Sequence, residues 1–123
     1  MLDVLIVDDS NAMRAVIKKI VTMSGFRVDR CLEAANGREA LEKLTASVDL
    51  VLLDIKMPEM DGFQTLTLMR DKSDVPVMMV TGVGEVSSAS DALVFGADDY
   101  VRKPFKTAEL IARVGAKLRR RDR

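Results

Sequence analysis

Five residues stand out by type and place: Asp8 and Asp9, Asp54, Thr81 and Lys103, each at or near the end of a short apolar run. If those runs end on one edge, carboxylates, a hydroxyl and an ammonium share a crevice. Carboxylates in contact repel, and at least one would stay protonated near neutral pH unless a cation intervened. A divalent ion together with the Lys103 ammonium would balance Asp8, Asp9 and Asp54. All-oxygen ligands from few protein groups suit magnesium, which keeps several waters and favours sites shared with phosphate. A carboxylate in that setting is equipped to receive a phosphoryl group, because Asp side chains form covalent acyl phosphates.

Other chemistries are thinned by composition. The 123 residues contain no histidine, which removes the commonest general base, the Ser–His and Cys–His nucleophile pairs and nearly all zinc chemistry. Cys31 is the single cysteine, so it forms no internal disulfide, and a half-buried structural thiol is expected. At 48% apolar and 31% charged the chain reads as one soluble globular domain spanning residues 1–123. Its 19 basic and 19 acidic residues cancel, against a whole-surface nucleic-acid binder. The balance is uneven: residues 117–123 (KLRRRDR) carry five basic groups and one acidic, leaving the other 116 residues with 14 basic and 18 acidic. That tail is expected to be a solvated helix end or the start of a linker. MLDVLIVDD lacks a charged segment followed by a long apolar stretch, and no window approaches a membrane span, so the expected location is the cytosol.

The elements that must position these groups alternate strand and helix five times. Strands are expected at Val4–Val7, Arg27–Glu33, Asp49–Leu53, Val75–Val80 and Tyr100–Val101. Helices are expected at Asn11–Ser24, capped by Ser10 and ended by Gly25, and from the cap Asn36 to Ala46. Further helices are expected at Phe63–Asp71, Val86–Phe95 and Ala108–Leu118. Met13, Val16, Ile17, Ile20 and Val21 should form the inner face of the first helix. Near-continuous apolar strands between amphipathic helices imply a parallel sheet covered on both faces. Right-handed crossovers gather the strand C-terminal ends on one edge, where ligands bind in open sheets.

IVDDS (6–10), LLDIKMPEMDG (52–62), MVTG (79–82) and GADDYVRKPF (96–105) resemble the receiver domain of bacterial two-component response regulators. The likeness runs from about Leu2 to about Leu118. It implies a flavodoxin-like (βα)5 fold of class α/β, with strand order 2-1-3-4-5. It further implies that Asp54 is the phosphoacceptor, attacking the phosphohistidine of a sensor histidine kinase or phosphotransfer protein. Asp9 and Asp54 would ligate magnesium, Asp8 mostly through water, and the main-chain carbonyl of Lys56 would join them. Lys103 would hold phosphoryl oxygens, Thr81 would hydrogen-bond the phosphate, and Tyr100 would turn inward behind it. This would reshape the face made by the helix at 86–95, the fifth strand and the last helix, which addresses an output domain or effector. Pro104 matches a proline commonly joined by a cis bond.

Lys56 and Val83 occupy positions that tune dephosphorylation in the family; Lys56 either steers the attacking water or points to solvent. Ala89 stands where relatives with a particular dimer place a basic partner for an acid like Glu109, which leaves that dimer in question between monomer and phosphorylation-dependent dimer. Neither direct nucleic-acid binding nor membrane contact is expected. An Asp-nucleophile phosphatase would want a second Asp at position 56, and a flavin carrier would want a Ser/Thr-rich loop after the first strand. A non-phosphorylated interaction module would not need the full set of five residues.

Overall fold

The β-branched and leucine-rich runs form five parallel strands: β1 (Leu2–Val7), β2 (Val28–Ala34), β3 (Val48–Asp54), β4 (Val77–Thr81) and β5 (Asp99–Arg102). The computed structural model describes residues 2–82 and 96–121. The strands pair in the order β2-β1-β3-β4-β5, as the resemblance implied. Side chains alternate across the sheet. Leu5, Val7, Val51, Leu53, Val77 and Met79 therefore join one core, while Val4, Ile6, Leu50, Leu52, Met78 and Val80 join the other. Helices α2 (Gly37–Lys43) and α3 (Gly62–Arg70) bring Ala40, Leu66 and Met69 to the first core. Helices α1 (Asn11–Thr22) and α4 (Thr107–Arg121) bring Ile17, Ile20, Val21, Leu110, Val114 and Leu118 to the second. The sheet is thus covered on both faces.

The helix starts obey local chemistry. Ser10 Oγ accepts from the Met13 amide at 3.1 Å, and Asn36 Oδ1 accepts from the Glu39 amide at 2.9 Å. Asp61 and Gln64 close a capping box on α3, which starts one residue earlier than expected, at Gly62. Helix α1 stops at Thr22, ahead of Gly25 at φ 90°. Helix α2 stops at Lys43 rather than Ala46, because Leu44 takes an extended backbone and buries its side chain. Strand β4 begins at Val77 rather than Val75, since Pro76 has no N–H to donate to a ladder. Strand β5 gains Asp99 and Arg102 at its ends, β1 gains Leu2 and Asp3, and β2 runs one residue later, to Ala34. Helix α4 runs beyond Leu118, to Arg121.

Val16 corrects the expected inner face of α1: it is 48% exposed, because the buried stripe is the narrower set Ile17, Ile20 and Val21. Cys31 is half-buried against the second core, as expected, and burial pushes its thiol pKa up. The helix expected at Val86–Phe95, with Ala89 and Val83, lies outside the described residues.

Candidate phosphoryl and metal site

The C-terminal edge of the sheet places the acidic groups. Asp8 follows β1 and is buried, its amide donating to the Ala34 carbonyl at 3.1 Å. Its Oδ1 accepts from the Ser10 amide at 2.9 Å, so the residue that caps α1 also orients this carboxylate. Asp9 is exposed at the mouth. Asp54 is the last residue of β3 and is also buried. One carboxylate oxygen from each of Asp8, Asp9 and Asp54 lies within 4.8 Å of the other two.

Lys103 follows β5, and its Nζ stands 3.4 Å from Asp8 Oδ2 and 3.3 Å from Asp54 Oδ1. Burial draws the ammonium's pKa down, but the charges and hydrogen bonds of Asp54 and Asp8 outweigh it and hold the pKa above its ordinary value. Lys103 therefore stays charged, and a single ammonium bridges two buried carboxylates. The Lys103–Pro104 peptide is cis.

The donor set fits a small hard cation. Octahedral magnesium at about 2.1 Å from its ligands spaces neighbouring oxygens by about 3 Å and opposite ones by about 4.2 Å. The 4.8 Å envelope of the three carboxylates comes close to that span. Nitrogen and sulfur ligands are absent from the cluster, which excludes a zinc-type set there.

Thr81 ends β4, paired with Arg102 of β5, so its main chain reaches the same edge; its side chain lies outside the described residues. The Lys56 side chain is exposed, which agrees with the solvent-pointing alternative. Tyr100 sits on β5, half-buried against the first core, with the Arg113 guanidinium 5.9 Å from its ring centre. Arg113 is held in turn by Asp99 at 2.7 Å and Glu109 at 3.8 Å.

Two contributors escaped the reading of motifs. Gly62 opens α3 hard against the site: its amide donates to the Ile55 carbonyl at 2.7 Å, and a Cβ there would lie 2.4 Å from the Asp54 carbonyl oxygen. Its sequence signal was the turn MPEMDG, which marks a bend but not a close approach. Arg14 donates to the Asp8 carbonyl and to Glu33, and only its place in the first turn of α1 hinted at that reach.

Comparison with known proteins follows the same lines. The family model described as response regulator receiver domain matches residues 4–115. The chain is 43% identical over 117 residues to the probable transcriptional regulator ycf27 of Cyanidium caldarium, covering 94% of this chain and 46% of that protein. It is 46% identical over 116 residues to the transcriptional regulatory protein CpxR homolog of Haemophilus influenzae, covering 94% and 50%. The crystal structure of a response regulator receiver domain protein from Clostridium thermocellum superposes with a TM-score of 0.85 at 26% identity, covering 98% and 97%. The chain spans about half the length of the curated relatives it matches.

Proposed function

The chain belongs to the response regulator receiver family, and from that premise we propose that it is a switch driven by phosphorylation of Asp54. The observation that carries the reading is the Lys103 ammonium held between Asp54 and Asp8, with the Asp9 carboxylate beside them. Asp54 Oδ attacks the phosphorus of a phosphohistidine on a sensor kinase or phosphotransfer protein. The O–P bond forms, the P–N bond breaks, and the electron pair stays on the ring nitrogen, so that a phosphohistidine protonated at its other nitrogen leaves as neutral imidazole. The Lys103 ammonium follows charge from the free carboxylate onto the phosphoryl oxygens, so it stabilises the product without moving a proton.

Asp9 and Asp54 would hold magnesium directly, Asp8 mostly through water and the Lys56 carbonyl as a further ligand. When bound, that ion supplies the positive charge that lets an anionic donor approach three carboxylates. The Thr81 hydroxyl donates to the acyl phosphate, and Tyr100 turns inward behind it. The altered face then addresses an output domain or a separate effector, in the cytoplasm. Water returns Asp54 to the carboxylate, so the only turnover is on the protein itself. Two relatives named as transcriptional regulators support an output of gene control, with the receiver itself touching no nucleic acid.

Incubation with acetyl phosphate and magnesium should add one phosphate by mass, and Asp54→Asn should abolish it. An Asn variant labelled to the parent's extent would sink the assignment.

A further inference from the structure

We infer that Arg14, braced by Glu33, is a positioning residue that sets the Asp8–Asp9 peptide and thereby aims the Asp9 carboxylate at the cation. The inference rests on the reading of Asp8, Asp9 and Asp54 as a metal site. It begins with an asymmetry between the two neighbouring acids. Asp8 is fixed several ways: through its amide to Ala34, through Oδ1 to Ser10 and through Oδ2 to Lys103. Asp9 is exposed, and the direction of its side chain follows from the main chain on either side of it.

The peptide preceding Asp9 carries the Asp8 carbonyl, and that oxygen accepts from Arg14 Nη1. Arg14 lies in the first turn of α1, where side chains lean back toward the helix start. Its Nε donates to Glu33 Oε1 on β2 at 3.1 Å, and its Nη2 bonds Asn11 Oδ1. The side chain is only 11% exposed, so its fork is committed to these partners rather than to water. A guanidinium can join a backbone carbonyl and a carboxylate in one rigid plane, which an ammonium cannot do. The orientation of the Asp8–Asp9 peptide is thus referred to β2, an element that supplies no ligand of its own.

The sign of one substitution separates this role from a charge effect. Arg14 is a cation near a cation site, so charge alone makes its removal tighten magnesium binding. Positioning makes the same removal weaken it. Magnesium affinity should be measured by titration of backbone amide NMR signals for the parent, Arg14→Gln, Arg14→Lys and Glu33→Gln. Thermal unfolding would certify each fold. Arg14→Gln should bind magnesium about tenfold more weakly, in the range seen when groups that orient metal ligands are lost. Its metal-free Asp9 and Ser10 amide signals should shift, and Arg14→Lys should recover only part of the loss. Arg14→Gln that is folded and binds magnesium as tightly as the parent, or more tightly, overturns the inference. If Arg14→Gln does not fold, Glu33→Gln decides, with Glu42→Gln as a control that removes equal charge from an exposed pair with Arg38. A larger weakening in Glu33→Gln than in the control supports the role, and an equal one refutes it. A parent that neither binds magnesium nor accepts phosphate would instead overturn the functional reading and this inference with it.

Discussion

The contact between Gly62 and the end of β3 gives the sharpest stability test. In Gly62→Ala the new Cβ would lie 2.4 Å from the Asp54 carbonyl oxygen and 2.7 Å from Ile55 Cα. Carbon and oxygen tolerate about 3.3 Å, so α3 must retreat by about 1 Å or β3 must yield. Both obstacles are backbone, so no side-chain rotation relieves them. Overpacking of this kind costs about 1–3 kcal/mol. Retreat would also stretch the 2.7 Å bond from the Gly62 amide to the Ile55 carbonyl. Losing that bond adds about 1 kcal/mol. The helical preference of alanine returns about 0.5–1 kcal/mol, leaving a net loss of about 1–3 kcal/mol. For a chain of this length that lowers Tm by roughly 5–15 °C. Because either movement disturbs the packing of α3 on the end of β3 that carries Asp54, phosphorylation by acetyl phosphate should slow by about tenfold or more. Gly115→Ala supplies the control, since its Cβ would meet only Phe26 Cε2 at an ordinary 3.5 Å. It should stabilise α4 by about 0.5–1 kcal/mol. Equal Tm and equal phosphorylation rate for Gly62→Ala and the parent would refute the reasoning.

Asp9→Ala should weaken magnesium binding and slow phosphorylation together, while raising the Tm of the metal-free protein by removing like charge; magnesium titration and melting curves check both. Asp3 accepts from Arg30 at 2.7 Å, and that hydrogen bond holds its carboxyl below its ordinary pKa against the opposing cost of burial. A lowered folded pKa gives stability that is present above the unfolded value and lost as pH falls through the folded one. The stability gap between the parent and Asp3→Asn in urea should therefore be widest near neutral pH and close in acid below about pH 4. With one tyrosine and no tryptophan, intrinsic emission reports Tyr100. Beryllofluoride with magnesium should change that emission and Thr81→Ala should blunt the change; an unchanged signal with the mimic bound removes Tyr100 from the switch.

Much of this architecture was legible because local rules and global fold agree. Val4–Val7 and, after Asp49, Leu50–Leu53 are apolar on both faces, which marks them as interior strands, and their closing acids reach the same edge wherever crossovers are right-handed. Ser10 and Asn36 read as caps and are caps. Strand order was different, since parallel strands with like crossovers admit several arrangements and only the resemblance singled out 2-1-3-4-5. Val16 was misjudged because a helical stripe read from hydrophobicity is wider than the strip the sheet can cover. Arg14 and Gly62 were hidden for a common reason: their partners are backbone carbonyls, which every residue possesses and no letter advertises.

The strand order also decides what the sheet offers sideways. The two rims are β2 (VDRCLEA) and β5 (DYVR), and both carry charge along their length. Of the three interior strands, β4 holds no charge, β1 holds only Asp3, which Arg30 neutralises from the β2 rim, and β3 holds Asp49 near its start and the site residue Asp54 at its end. An incoming strand that tried to lengthen the sheet would have to seat itself beside Asp29, Arg30 and Glu33, or beside Asp99 and Arg102. Charged rims of this kind discourage edge-to-edge growth. Among the described residues, both flanks of the sheet therefore meet an approaching strand with charge rather than with a continuous apolar edge.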